Sequence, residues 1–144
     1  MANTFYNRAK KEIADNTIDL LNDTIKVMLV DDTYTVNPDH DFVDMGGTAD
    51  PIDAELSGTG YERKTLANKS ITEDDANDRA SFDADDVTWT SIDAGTANAA
   101  IIFKDTGDDT TSVLIAYIDD DFPITTNGGN LTIQWNADGI ITLS

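Results

Sequence analysis

The stretch that decides the fold is residues 99–121, AAIIFKDTGDDTTSVLIAYIDDD. Two apolar runs, 99–103 and 113–118, flank a turn marked by Gly107 and Asp108, and this arrangement predicts a β-hairpin. In the second run both sets of alternating side chains are apolar, so we expect a strand that is buried on both faces. Aspartates lie in the turn and directly after the second run. Because a buried strand must end at the surface, we interpret these acids as its solvated ends.

The same kind of short apolar or alternating run recurs along the chain. The first is Ile25–Val30 (IKVMLV), and further strands are expected at residues 61–67, 70–72, 80–82, 87–90, 131–135 and 140–143. Asp138-Gly139 predicts a second hairpin, and TTNGGN, residues 125–130, predicts another turn. About eight short strands separated by turns predict a mainly β protein, either an antiparallel β-sandwich or a small barrel.

One segment, residues 3–16, has the periodicity of an N-terminal α-helix. Its apolar residues recur every four positions on one helix face: Phe5, Ala9 and Ile13. Asn3 or Thr4 can cap the start, and Asn16 tolerates the left-handed conformation that commonly follows a helix end. A helix of this length is marginal alone, so we expect it to dock on the sheet within a single domain spanning 1–144.

A long surface loop is predicted at residues 31–60, which are rich in Pro, Gly and Asp. Loops of this length in a compact domain often carry function. Three apolar residues stand out in this polar segment, Phe42, Val43 and Met45, and they are our candidates for contact with a partner subunit. The alternative is that the loop packs locally over the edge of its own sandwich.

The charge balance limits the classes of partner. The 144 residues contain 28 acids and nine bases, for a net charge of −19, and no cysteine. Such a surface repels nucleic-acid phosphates and anionic membranes, so neither is an expected partner. No apolar run approaches the length of a membrane span and the N-terminus lacks a signal-peptide pattern, so we expect assembly in a cytoplasm. The acid excess indicates either solubility in a saline habitat or a cation-binding protein.

Candidate chemical sites are weak. The single histidine, His40, lies in the predicted loop, and no Gly-rich loop has the pattern of a phosphate cradle. Residues 73–79 (EDDANDR) and 82–86 (FDADD) supply carboxylates but do not match a calcium-binding loop. Trp89 and Trp135 suit core packing better than sugar binding, because both lie on predicted strands. We therefore expect no enzyme and no catalytic, cofactor or metal residues, with a calcium- or carbohydrate-binding module as a lesser alternative.

Several segments together carry a resemblance to a family. They are IDLLNDTIKVMLVDDTYTVNPDHDFVDM after the helix, SGTGYERKTLANKSIT, DRASFDADDVTWTSI, AAIIFKDTGDDTTSVLIAYID and TTNGGNLTIQWNADGIITLS. In their order and spacing the chain, over residues 5–144, resembles small virion structural proteins encoded among the head and tail genes of tailed bacteriophages and archaeal tailed viruses.

The resemblance implies a non-enzymatic, β-rich virion protein present in many copies. The first expectation is a decoration (cement) protein on the outer head surface, and the alternative is a tail, neck or fibre-associated subunit. Its expected partners are the major capsid protein or other virion subunits, together with copies of itself in a homo-oligomer, expected to be a trimer. No functional residue carries over, because the shared motifs have the pattern of strands and turns.

Overall fold

A computed structural model describes residues 3–144, so the first two residues of the predicted domain lie outside it. Within this range the chain is mainly β, with one α-helix, α1 (Asn7–Ala14). The strands are β1 (Thr4–Phe5), β2 (Ile25–Val30), β3 (Lys64–Thr65), β4 (Ser70–Asp74), β5 (Arg79–Asp83), β6 (Val87–Trp89), β7 (Thr96–Ala97), β8 (Ala99–Lys104), β9 (Leu114–Ile118), β10 (Ile124–Thr125), β11 (Leu131–Ile133) and β12 (Ile141–Leu143). They form antiparallel sheets in a sandwich-like arrangement that does not close into a barrel, which confirms the predicted fold class and selects the sandwich.

The largest sheet has five strands in the order β1-β9-β8-β2-β3. The predicted hairpin β8–β9 is present, and all five residues of β9 are buried. Tyr117 packs on one side of the sheet, where its ring centroid lies 6.1 Å from that of Tyr34. On the other side Ala116 and Ile118 face Ile141 of β12 across a groove. The strand is therefore covered on both faces, as its two-sided apolar pattern predicts.

Three smaller sheets complete the sandwich: β12-β5-β4, β11-β6 and β10-β7. The turn at Asp138-Gly139 is present, and the Gly139 backbone N–H donates to the Asn136 carbonyl at 2.8 Å. The hairpin predicted there is wrong, because β11 pairs with β6 whereas β12 pairs with β5. Chain segments that cross between sheets are common in sandwiches, and a turn motif does not report which strand its flanks will pair with.

The predicted helix, residues 3–16, is too long at its start. Thr4 and Phe5 are extended and pair with Tyr117 and Ala116 of β9. Helical residues begin only at Asn7, and the residue before it makes no side-chain capping hydrogen bond, so neither predicted cap operates. At these two residues pairing with β9 is favoured over helix formation, because the backbone N–H and C=O groups of a buried strand need hydrogen-bond partners.

The helix packs on the core with the predicted face, of which Ala9 is fully buried while Phe5 and Ile13 are partly buried, and it also buries Glu12. Ala9 and Glu12 are buried, as is Tyr6 directly before the helix, whereas Ile13 is only half-buried. Burial of Glu12 is stabilised by Arg8, whose Nε donates to a Glu12 carboxylate oxygen at 2.9 Å. At the other end the prediction is confirmed, since Asn16 follows the helix with a φ of 64°.

Residues 31–60 lie against the edges of the five-stranded sheet. Directly before β9, the Val43 N–H donates to the Ser112 carbonyl at 3.0 Å, and Phe42 forms a bridge with Val113. Along β2, the Leu56 N–H donates to the Leu29 carbonyl at 3.0 Å. Between these two contacts the loop forms a short 3₁₀ turn, Pro51–Ala54. The loop therefore covers both outer strands of the sheet core, which is how the molecule protects edges that β1 and β3 are too short to cover.

Glycines hold the end of this loop close to a neighbouring turn. Gly58 and Gly60 both have positive φ, 148° and 76°. A Cβ at either position would lie 2.6 Å from a backbone carbonyl oxygen, that of Asp93 for the first and of Ser91 for the second. The SGTG motif is thus explained by close backbone approach, which a larger residue would prevent.

Truncation of the doubly covered strand should cause a large loss of stability. Ile115 is fully buried in β9, so Ile115→Ala is expected to lower the free energy of unfolding by about 2–5 kcal/mol through lost burial and a residual cavity. Ile71→Ala is the matched control, because that side chain is exposed. Urea denaturation should show a lower midpoint at unchanged slope for the first variant and little change for the second. Equal shifts would contradict the packing described here.

Candidate functional site

The three predicted contact residues lie in very different environments. Val43 is fully buried in the domain's own core. Phe42 is half-buried, and the Arg8 guanidinium carbon lies 4.6 Å from the centroid of its ring. Met45 is 37% exposed, and its backbone N–H donates to the Asp50 carboxylate at 2.8 Å. The structure therefore presents Met45 to solvent, whereas Val43 could contact a partner only by leaving the core.

A cluster of charged side chains, the Arg63 cluster, ties the loop to the sheet. Arg63 donates from Nε and Nη2 to the two carboxylate oxygens of Glu55, both at 2.8 Å. Its Nη1 and Nη2 donate to Asp109 at 2.7 and 3.1 Å. The guanidinium carbon lies 5.2 Å from the centroid of the Phe103 ring. Hydrogen bonds to Glu55, followed by those to Asp109, raise the pKa of Arg63 further above its ordinary value. Two bidentate pairs on one arginine fix both acid-bearing segments in orientation.

Tyr61 extends the same cluster into the sheet. Its hydroxyl donates to Glu55 Oε2 at 2.6 Å and accepts from the Leu29 backbone N–H of β2 at 3.1 Å. Burial raises the pKa of this tyrosine, so it remains a donor. The cluster thereby joins the end of loop 31–60, the turn between β8 and β9, and the C-terminal part of β2.

Most of the other bases are also engaged with acids. Within residues 3–144, seven of the nine lysines and arginines form ion pairs with carboxylates: Arg8, Lys11, Lys26, Arg63, Lys64, Arg79 and Lys104. In the turn after β8, the bond to Lys26 holds the pKa of Asp105 below its usual range. In the same turn, hydrogen bonds from Thr110 lower the pKa of Asp108. The acids of this turn therefore form ion pairs and cap the turn by hydrogen bonds. The interpretation of them as solvated strand ends does not include these contacts.

The acids do not converge on a metal-binding arrangement. No group of three or more histidine or acidic side chains within residues 3–144 is placed to hold a metal ion. The groove between β9 and β12, of about 240 Å³, contains two charged side chains, Arg79 and Asp138. These two bind each other at 2.8 Å, so each already has a partner.

The histidine and the tryptophans take part in internal contacts. His40 Nδ1 lies 3.0 Å from the Tyr34 hydroxyl, which lies 2.9 Å from the hydroxyl of buried Tyr6. Trp89 and Trp135 are buried, and their indole N–H groups donate to the backbone carbonyls of Glu62 and Asp85. Both tryptophans therefore pack in the core, which confirms the preferred interpretation of these residues over a sugar platform.

The three-stranded sheet β12-β5-β4 presents an apolar margin that the sequence analysis did not single out. Phe82 of β5 and Ile141 of β12 are buried on the inner face of this sheet. Ile71, which pairs with Phe82, and Leu143, which pairs with Ala80, point to the same side but are 45% and 38% exposed. The alternation in SITED (residues 70–74) predicts which residues share a face, but carries no signal that this strand is an edge. Ile71 and Leu143 lie on the two outer strands of this sheet, with β5 between them. We call these two side chains, together with strand β4, the open margin.

Comparisons with known proteins give no relative for this chain. No protein-family model, no curated protein and no solved structure matches it. Among the described residues no helix has the length and apolar character needed to cross a bilayer.

Removal of the central arginine should destabilise the fold. Arg63→Ala leaves Glu55 and Asp109 without their shared partner, and the arginine side chain is 22% exposed. Loss of one member of a largely buried charge network is expected to cost about 2–4 kcal/mol, somewhat less than at a fully buried site. Arg63→Lys should recover only part of this, because lysine lacks the bidentate geometry. The control is Lys11→Ala, which breaks an exposed pair with Asp15 and should leave the urea midpoint unchanged. Equal midpoints for the Arg63 and Lys11 variants would contradict a structural role for the cluster.

Stability should rise with salt because the fold confines a net charge of −19. The screening length falls from about 10 Å at 0.1 M to about 3 Å at 1 M, which relieves this repulsion for any monovalent cation. Melting curves in NaCl and KCl are therefore expected to shift together and smoothly upward. In CaCl₂ of matched ionic strength little further gain is expected. A saturable gain specific to calcium would reveal a bound ion instead.

Proposed function

We propose that this chain is a non-enzymatic structural subunit of a tailed-virus particle, and that it serves as a decoration (cement) protein on the outer head surface. The observation that carries the proposal is the open margin. It places two exposed apolar side chains, Ile71 on β4 and Leu143 on β12, on the same face of a three-stranded sheet that also carries the buried Phe82 and Ile141. Exposed apolar residues on a sheet face that ends in an unpaired strand edge are a feature of surfaces that contact another protein.

The rigid attachment of the long loop, residues 31–60, to the rest of the domain supports a structural role. The long loop is held at several points by the Arg63 cluster and by its bridges to the outer strands. Its 44–53 portion is further fixed by Asp50, whose carboxylate accepts the backbone N–H groups of Met45 and Gly47, both at 2.8 Å. A subunit that binds many times over a lattice gains affinity from such preorganisation, because little ordering entropy is lost on contact.

The sequence resemblance supplies the virus particle as the setting. The segments that carry the resemblance, such as SGTG and DDVTW, correspond here to a close backbone contact and to strand β6 with the two residues before it. These are motifs of a scaffold, and a family that shares a scaffold is consistent with a role in architecture.

Copy number in purified particles tests the proposal. A decoration protein should be present on the order of hundreds of copies per particle, whereas closed rings at a neck or tail joint hold about a dozen. Quantitative mass spectrometry of the particles, scaled to the major capsid protein, measures the ratio. A ratio near that of a ring would favour the tail or neck alternative, and absence from particles would overturn the virion role.

Substitution in the open margin should reduce incorporation. The double variant Ile71→Ser with Leu143→Ser removes the exposed apolar side chains without adding charge, and it is expected to bind particles less well than the native protein. Leu21→Ser is the matched control, because Leu21 is 44% exposed and lies outside the open margin. Met45→Ser tests the loop separately: reduced incorporation would extend the contact surface to the loop, and normal incorporation would remove the loop from it. Equal incorporation of the double variant and the control would exclude the open margin as the contact.

A further inference from the structure

Strand β4 is an edge strand whose side chains are mostly exposed and whose outer backbone groups have no partner within the described part of the chain. It forms the end of the order β12-β5-β4, and four of its five residues are exposed. Apart from the ladder with β5, residues 70–73 make no backbone or side-chain hydrogen bond within the described part of the chain. An edge strand presents alternate N–H and C=O groups away from its sheet, so β4 offers a row of unpaired donors and acceptors.

The large sheet differs from β4, because its outer strands are covered. On the large sheet, β9 is covered by β1 and by residues 41–44, and β2 is covered by β3 and by residues 54–56. Strand β4, of sequence SITED, contains no proline, glycine or lysine, the residues with which edge strands are commonly blocked. The acids on this strand are therefore its main protection against pairing.

The charge around β4 determines which strand it can accept. Residues 70–83, which form the β4–β5 hairpin, contain five acids and one base, a net charge of −4. The base, Arg79, is already paired with Asp74 and Asp138. Glu73, on the same face of β4 as Ile71, makes no ion pair within residues 3–144. An extended segment that carries lysine or arginine is complementary to this edge, and an acidic one is repelled.

We propose that β4 binds an extended cationic segment of another protein by strand addition. Backbone hydrogen bonds to the free edge would supply the common affinity, and side chains would supply the selection. On one face, a partner residue opposite Ile71 should be apolar and the residue opposite Glu73 should be lysine or arginine. On the other face, a threonine or serine suits the position opposite Thr72. In an antiparallel pairing, the preferred partner sequence from N- to C-terminus is therefore a basic residue, a residue with a hydroxyl group and an apolar residue.

A second copy of the chain is a poorer occupant of this edge. Each copy carries a net charge of −19, so edge-to-edge contact brings like charges together. Antiparallel pairing of two β4 strands about Ile71 would place Lys69 of one copy opposite Glu73 of the other. The Lys69 ammonium group, however, already donates to the Asp23 backbone carbonyl.

The experiment uses the isolated full chain and a capped peptide, Thr-Lys-Thr-Val-Thr-Lys-Thr, followed by backbone amide NMR at 0.1 M NaCl. Shifts are expected to concentrate at residues 70–74, with slowed hydrogen exchange of the outward-pointing amides. A peptide with glutamate in place of lysine should bind at least about tenfold more weakly. A peptide with N-methylated alternate amides should not bind, because its donors are removed.

Matched variants test the site on the protein. Ile71→Lys places a blocking cation on the edge and should abolish peptide binding, whereas Met45→Lys adds the same charge elsewhere and should leave binding unchanged. Melting curves check that both variants fold. Scattered shifts, or equal binding of the N-methylated peptide, would show non-specific attraction to acids and overturn the inference. Mass that rises with protein concentration, together with protected β4 amides, would assign the edge to a second copy and also overturn it.

This inference states what kind of segment the proposed subunit binds. It rests on the proposed function only for the expectation that the partner is another virion protein. The peptide experiment needs no particle, so its failure leaves copy number in particles as an independent test. Conversely, absence from particles would overturn the virion role without changing the result for the strand edge.

Discussion

The rest of the structure depends on the placement of one guanidinium group. Arg63 binds Glu55 at the end of the long loop and Asp109 in the turn between β8 and β9, and it covers the ring of Phe103 in the sheet. Without this cation, the two carboxylates would lie partly buried with no positive charge to offset the cost of removing them from water. The long polar loop would also lose its ionic attachment to the apolar sheet. A chain with 28 acids and nine bases can cover its sheet edges only if its few cations occupy such shared positions.

The sequence predicted those elements whose signal is local and long enough. The runs that form β2 and β9 are five or six residues of nearly continuous apolar character, and both strands lie where expected. The two-residue strands β7 and β10 were missed, because two residues show no periodicity. The start of the helix was misplaced because the pairing of Thr4 and Phe5 with β9 depends on residues far along the chain. At these residues the tertiary contact overrides the local helical pattern.

The candidate sites were less predictable for the same reason. Phe42, Val43 and Met45 stand out as apolar residues in a polar loop, but composition does not tell which of them reaches the core, and Val43 does. The Arg63 cluster joins residues 46 positions apart, which no spacing rule would associate. For Ile71 the sequence predicts only that it lies in a strand, residues 70–72. Whether a strand is central or an edge is decided by sheet order, and the turn at Asp138-Gly139 shows that sheet order cannot be inferred from turns in this chain.

The pairing of Thr4 with Tyr117 also fixes the order in which the protein can form during synthesis. Partners in the large sheet are distant in sequence: Thr4 pairs 113 positions later, and β2 pairs mainly with β8 at residues 99–104. A nascent chain therefore carries the apolar β2 without its main partner until most of the domain has left the ribosome, whereas the β4–β5 hairpin can close as soon as residue 83 appears. Topologies rich in distant contacts fold slowly, and their waiting apolar strands are open to aggregation. During that interval the dense negative charge makes incomplete chains repel one another, which opposes their aggregation. The same acids destabilise the folded state by repulsion within one chain.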